Sequence, residues 1–147
     1  MGVATEQNSS GDKAGLRVLV VDDSATVRAN AEKILKRAGY EVRSANDGFE
    51  ALAFVAEYRP DLIFLDVMMP RLTGYEACQL IKRNAAMKQT PIVMFSSKDG
   101  IFDIARGRIC GAEDYITKPF SEDDLLGAVR KYYPETAESS LGREGAP

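Results

Sequence analysis

Residues 17–24 read RVLVVDDS, a β-branched and almost continuously apolar run that ends abruptly in two carboxylates and a hydroxyl. An uninterrupted apolar strand is what a sheet buried on both faces requires, because neither side of the pleat meets water. From residue 24 the period changes. Val27, Ala31, Ile34, Leu35 and Ala38 recur at i, i+4, i+7, i+8 and i+11, while Arg28, Glu32, Lys33, Lys36 and Arg37 face water. That spacing predicts an amphipathic helix over 24–38, closed by Gly39. One buried strand feeding one amphipathic helix is the unit of a parallel sheet wrapped by helices.

The unit recurs downstream. A strand is expected at 41–45, and Asp47-Gly48 opens a helix that turns Ala51, Leu52, Val55 and Ala56 inward until Pro60 stops it. LIFLD at 62–66 is the third strand, and after Pro70 and Gly74 a helix runs over 75–84. Pro91 precedes a fourth strand at 92–96. A fourth helix is expected over about 100–110, weakened by an interior Gly107 worth roughly 1 kcal/mol against alanine. A short fifth strand at 115–117 leads through Lys118-Pro119 to a fifth helix, started by Ser121 and Asp124 and buried through Leu125, Leu126 and Val129. Five strands alternating with five helices predict an α/β, doubly wound parallel sheet. Residues 1–15 and 134–147 are small and polar without an apolar period, so they read as flexible tails around one domain at 16–133.

The 147 residues include no histidine. That excludes Ser-His-Asp and Cys-His nucleophile pairs, HExxH metalloprotease sites and Cys/His zinc sites. Cys78 and Cys110 match neither a CxxC pair nor a four-ligand site; they could form one accidental disulfide, but read as reduced core thiols. A formal charge of −3 lacks the basic footprint of a nucleic-acid binder. No apolar run approaches the roughly 20 residues of a spanning helix, and the first residues carry no leader pattern, so no membrane insertion and a cytoplasmic location are expected. The residues after Tyr133 are too few for a helix-turn-helix, so no DNA-binding output domain is expected to follow.

In an open α/β sheet, ligands bind outside the carboxyl ends of the strands. The first strand ends in Asp22-Asp23, the third in Asp66, the fourth in Ser96-Ser97 and the fifth in Lys118. Singly, each has an ordinary reading: the aspartates as a helix cap or turn, the serines as loop formers, the lysine as a solvated charge. Together they would place three carboxylates, a hydroxyl and an ammonium in one crevice. Crowded carboxylates call for protonation or a hard cation, and oxygen donors favour Mg²⁺ or Mn²⁺. DDSATVR after the first strand is not GxGxxG, and no Walker A sequence is present. With a divalent cation, an aspartate can act as a nucleophile toward phosphorus while a lysine neutralises the transferred oxygens.

VVDDS at 20–24, FLDVMMP at 64–70, MFSS at 94–97 and YITKPF at 115–120 resemble the strand-end motifs of two-component response-regulator receiver domains, the CheY-like superfamily. Over MMPRLTGYEAC, SSKDGIFDIARGRI and TKPFSEDDLLGAV the chain resembles stand-alone regulators of type IV pilus, twitching-motility chemosensory systems. The resemblance implies a flavodoxin-like sheet in order 2-1-3-4-5, with Asp66 as phosphoacceptor. It implies that Asp22 and Asp23 bind Mg²⁺, Asp23 the more directly, with the backbone carbonyl of Met68 completing the protein ligands. Lys118 corresponds to the family's lysine, followed by a cis bond to Pro119, and Ser96 and Tyr115 to the hydroxyl and aromatic that couple phosphorylation to a surface change.

The implied partners are a histidine kinase or His-containing phosphotransfer domain, which would carry the histidine this chain lacks, and a target protein at the face of the fourth helix, fifth strand and fifth helix. Gly107 would suit the fourth helix to switching, or merely permit close packing, and Phe102 would anchor a partner or sit at the core rim. Such a chain is no enzyme beyond catalysing its own phosphorylation and dephosphorylation. Met68 and Lys98 depart from the best-known chemotaxis regulators, where an Asn and an acid often stand. Met68 is expected to shield the phosphorylated state from water. Two other readings compete. A haloacid-dehalogenase-like phosphatase expects DxD after the first strand, whereas Ser24 stands two residues beyond Asp22. A receiver fold used only for docking, independent of phosphorylation, would not need the full acid, hydroxyl and lysine set.

Overall fold

The computed structural model describes residues 15–96 and 110–134. The expected fourth helix, with Phe102 and Gly107, and all but the edges of the expected tails lie outside the described residues. Five strands form one parallel sheet: β1 (Arg17–Val21), β2 (Glu41–Ala45), β3 (Leu62–Asp66), β4 (Ile92–Ser96) and β5 (Asp114–Thr117). Their order is β2-β1-β3-β4-β5, as the resemblance implied. Among the described residues the helices are α1 (Ala25–Arg37), α2 (Gly48–Tyr58), α3 (Gly74–Arg83) and α4 (Glu122–Tyr132), the last being the helix expected as the fifth.

The apolar strands divide their side chains between two cores, as the two-residue period dictates. Val18, Val20, Leu62, Phe64, Val93 and Phe95 pack with α1 and α4 on one face. Leu19, Val21, Ile63, Leu65, Ile92 and Met94 pack with α2 and α3 on the other. Phe95 joins the sheet to the segment after Lys118, stacking between Phe64 and Phe120 at centroid distances of 5.3 and 4.9 Å.

Each helix begins on a side-chain cap, which orients it off the end of its strand. Ser24 accepts from the Val27 N–H at 3.2 Å and Asp47 from the Glu50 N–H at 2.8 Å. Thr73 with Glu76, and Ser121 with Asp124, form complete capping boxes. The sequence pattern misplaced one inward residue of α2. Ala56 is exposed and Tyr58 is buried instead, because Ala51, Val55 and Tyr58 at i, i+4 and i+7 share the stripe that meets the sheet.

Candidate functional site at the carboxyl ends of the strands

Asp22 follows β1 directly and is wholly buried, with Asp23 exposed beside it. Asp22 is held by its neighbours: its Oδ1 accepts from the Ser24 N–H at 2.9 Å, and its carbonyl accepts from Arg28 Nη1 at 2.8 Å. Arg28, expected to face water, is thus half-buried and braces the turn. Asp66 is the last residue of β3 and is 3% exposed. One carboxylate oxygen from each of Asp22, Asp23 and Asp66 lies within 4.8 Å of the others.

Lys118 follows β5 and reaches across this cluster. Its Nζ donates to Asp22 Oδ2 at 2.9 Å and to Asp66 Oδ1 at 3.4 Å. The Lys118-Pro119 peptide is cis. Ser96 ends β4, 3% exposed, and its neighbour Phe95 is paired with Asp66 across the sheet. Tyr115 is half-buried on β5, at the edge of the core that faces α2 and α3. The Met68 N–H donates to Asp66 Oδ1 at 3.4 Å, while its side chain is 69% exposed at the rim.

Two carboxylates and one ammonium in a partly dry site leave an imbalance. Burial, then the neighbouring Asp22 charge, pushes the Asp66 carboxyl up to about 7, against the opposing pull of Lys118 and the Met68 N–H. Burial alone would lower the Lys118 ammonium, but hydrogen bonds to Asp22 and the charges of Asp66 and Asp22 outweigh it and hold its pKa above the ordinary lysine value. Three carboxylates brought together with a single ammonium, oxygen donors alone, fit a hard divalent cation.

Two features of the site escaped the sequence pattern. Gly74, the first residue of α3, stands so close to β3 that a Cβ there would sit on the Asp66 carbonyl oxygen and 2.9 Å from Val67 Cα. Its N–H donates to the Val67 carbonyl at 2.9 Å. Only a glycine lets α3 start directly beneath the Asp66 loop. A cavity of about 540 Å³ adjoins Lys118, lined by Thr26, Val27, Asn30, Pro119 and Phe120. Thr26 and Asn30 stand one turn apart on the exposed side of α1, a pattern that marks no cavity in the sequence.

This chain belongs to the response-regulator receiver domain family, whose model matches residues 18–130. Its relatives include protein PilG of Pseudomonas aeruginosa, 56% identical over 120 residues that cover 82% of this chain and 89% of PilG. Response regulator MprA of Mycobacterium leprae is 42% identical over 115 residues, 78% of this chain, which spans half the length of that relative. The chemotaxis protein CheY4 of Vibrio cholerae superposes with a TM-score of 0.78 at 36% identity, covering 80% of this chain and 98% of CheY4. The family is one of signalling modules rather than of enzymes acting on a separate substrate.

Proposed function

We propose that Asp66 accepts a phosphoryl group from a partner histidine kinase or His-containing phosphotransfer domain, and that the phosphorylated chain signals by protein contact. The observation that carries this reading is the convergence of Asp22, Asp23 and Asp66 with Lys118 at adjoining strand ends. Asp22, Asp23, Asp66 and the backbone carbonyl of Met68 would hold Mg²⁺, with Mn²⁺ as a substitute. When bound, the cation supplies charge neutralisation to the phosphoryl oxygens. The ionised Asp66 carboxylate attacks phosphorus, and the bond to the donor's leaving group breaks. The Lys118 ammonium would stabilise negative charge on the transferred group, and the Ser96 hydroxyl would hydrogen-bond it. Movement of Ser96 toward that group and reorientation of Tyr115 would carry the change to the target-binding face that includes β5 and α4.

The similarity to PilG supports a place in a chemosensory, type IV pilus motility pathway in the cytoplasm. Among the described residues no helix is long and apolar enough to cross a membrane. The test uses beryllofluoride, a phosphoryl mimic, with Mg²⁺. The thermal midpoint is expected to rise by several degrees in the wild-type chain and to stay put in Asp66→Ala. No response in the wild type, or an equal response in both, contradicts the reading and leaves a docking module.

Met68 bears on the lifetime of the phosphorylated state. Its thioether offers a hydrolysing water no strong hydrogen-bonding group, whereas an amide does. Met68→Asn is expected to lose the phosphoryl group several-fold faster, followed by intact mass after removal of the donor. Loss at the wild-type rate or slower would overturn that role.

A further inference from the structure

Cys78 lies on the core side of α3, wholly buried, and Cys110 is half-buried in the turn before β5. Both are thiols. The Cys78 thiol donates to the main-chain oxygen of Cys110 at 3.4 Å. Standard main-chain lengths then put the Cys110 Cα within about 6 Å of that sulfur. The two residues pack in one apolar cluster with Ile81, Met87 and Ile92. A polar clamp fixes this approach. Lys82, one turn along α3 from Cys78, donates from Nζ to Glu113 Oε2 at 2.8 Å, and Glu113 Oε1 accepts from the Ile92 N–H at 2.8 Å. The carbons of Lys82 lie against Gly111, which takes a left-handed φ of 99°. The Cα atoms of ordinary disulfides lie about 4.4–6.8 Å apart, so closing the bridge takes rotation of the Cys110 side chain together with a shift of the turn that carries it toward α3.

We propose that Cys78 and Cys110 are a peroxide-sensitive thiol pair that closes to an intramolecular disulfide, a modification site separate from the acidic cluster. Burial pushes the Cys78 thiol up to about 12, so it rests protonated and oxidation starts at the more accessible Cys110. The Cys110 sulfur attacks hydrogen peroxide; the O–O bond breaks, one oxygen stays on sulfur as sulfenic acid, and the other leaves as water. The Cys78 sulfur then displaces that hydroxyl, which departs as water with the Cys78 proton. Two thiols are oxidised and one peroxide is reduced. The bridge ties α3 to the turn that feeds β5, the strand bearing Tyr115 and ending at Lys118. It stands whether or not Asp66 accepts a phosphoryl group.

The full-length protein, treated with hydrogen peroxide and then unfolded and alkylated with N-ethylmaleimide, tests it. The expected result is a monomer lighter by two hydrogens, with neither cysteine alkylated, one cross-linked peptide pair containing Cys78 and Cys110, and reversal by dithiothreitol. Two alkylatable thiols, a sulfinic acid at Cys110 beside an alkylatable Cys78, or a dimer joined through Cys110 would each overturn it.

Discussion

Gly74→Ala is expected to cost on the order of 3–5 kcal/mol of folding stability, an unusually large effect for one methyl group. The added Cβ would meet backbone rather than a yielding side chain: the carbonyl oxygen of Asp66, its carbonyl carbon at 2.9 Å and Val67 Cα at 2.9 Å. Relief requires α3 to withdraw from the end of β3, which breaks the Gly74 N–H bond to the Val67 carbonyl and displaces the loop that carries Met68. Urea unfolding reads the cost as a fall in midpoint at unchanged slope. A loss below about 1 kcal/mol would show that the loop yields, and that α3 does not set the position of Asp66.

Asp66→Asn acts in the opposite direction. In the ligand-free protein the Asp66 pKa lies near 7, above its ordinary 3.8, so between these values the folded chain holds a proton that the unfolded chain has released. Stability therefore falls as pH rises from about 4 to about 7 and stays low above it. An asparagine removes both the buried charge and its repulsion with Asp22. The variant is expected to gain about 2 kcal/mol near pH 8 and much less near pH 5, measured by urea unfolding at both. A gain equal at the two pH values, or a loss at pH 8, would contradict the electrostatic account of the site.

These two residues also mark where the sequence was legible. Asp66 could be placed at a strand end without a structure because an apolar run closed by a polar residue says both what the strand is and where it stops. The same holds for Asp22, Ser96 and Lys118, and the helix caps at Ser24, Asp47 and Ser121 fall where hydroxyl or carboxylate meets an apolar period. Gly74 could not be read this way. Its role depends on how closely α3 approaches a strand end eight residues earlier, a distance that no local pattern encodes. Arg28 was assigned to water from helical period alone, yet its length lets it fold back onto the Asp22 carbonyl. Ala56 was turned inward from the same period, whereas Ala51, Val55 and Tyr58 form the buried stripe of α2.

In the proposed function Asp66 is chemically the acceptor. The most direct measurement is the intact mass of the protein after incubation with acetyl phosphate and Mg²⁺, in the wild type and in Asp66→Ala, with and without EDTA. A gain of one phosphoryl group on the wild type alone, abolished by EDTA, is expected. No gain on the wild type, or a gain that survives in Asp66→Ala, would contradict it.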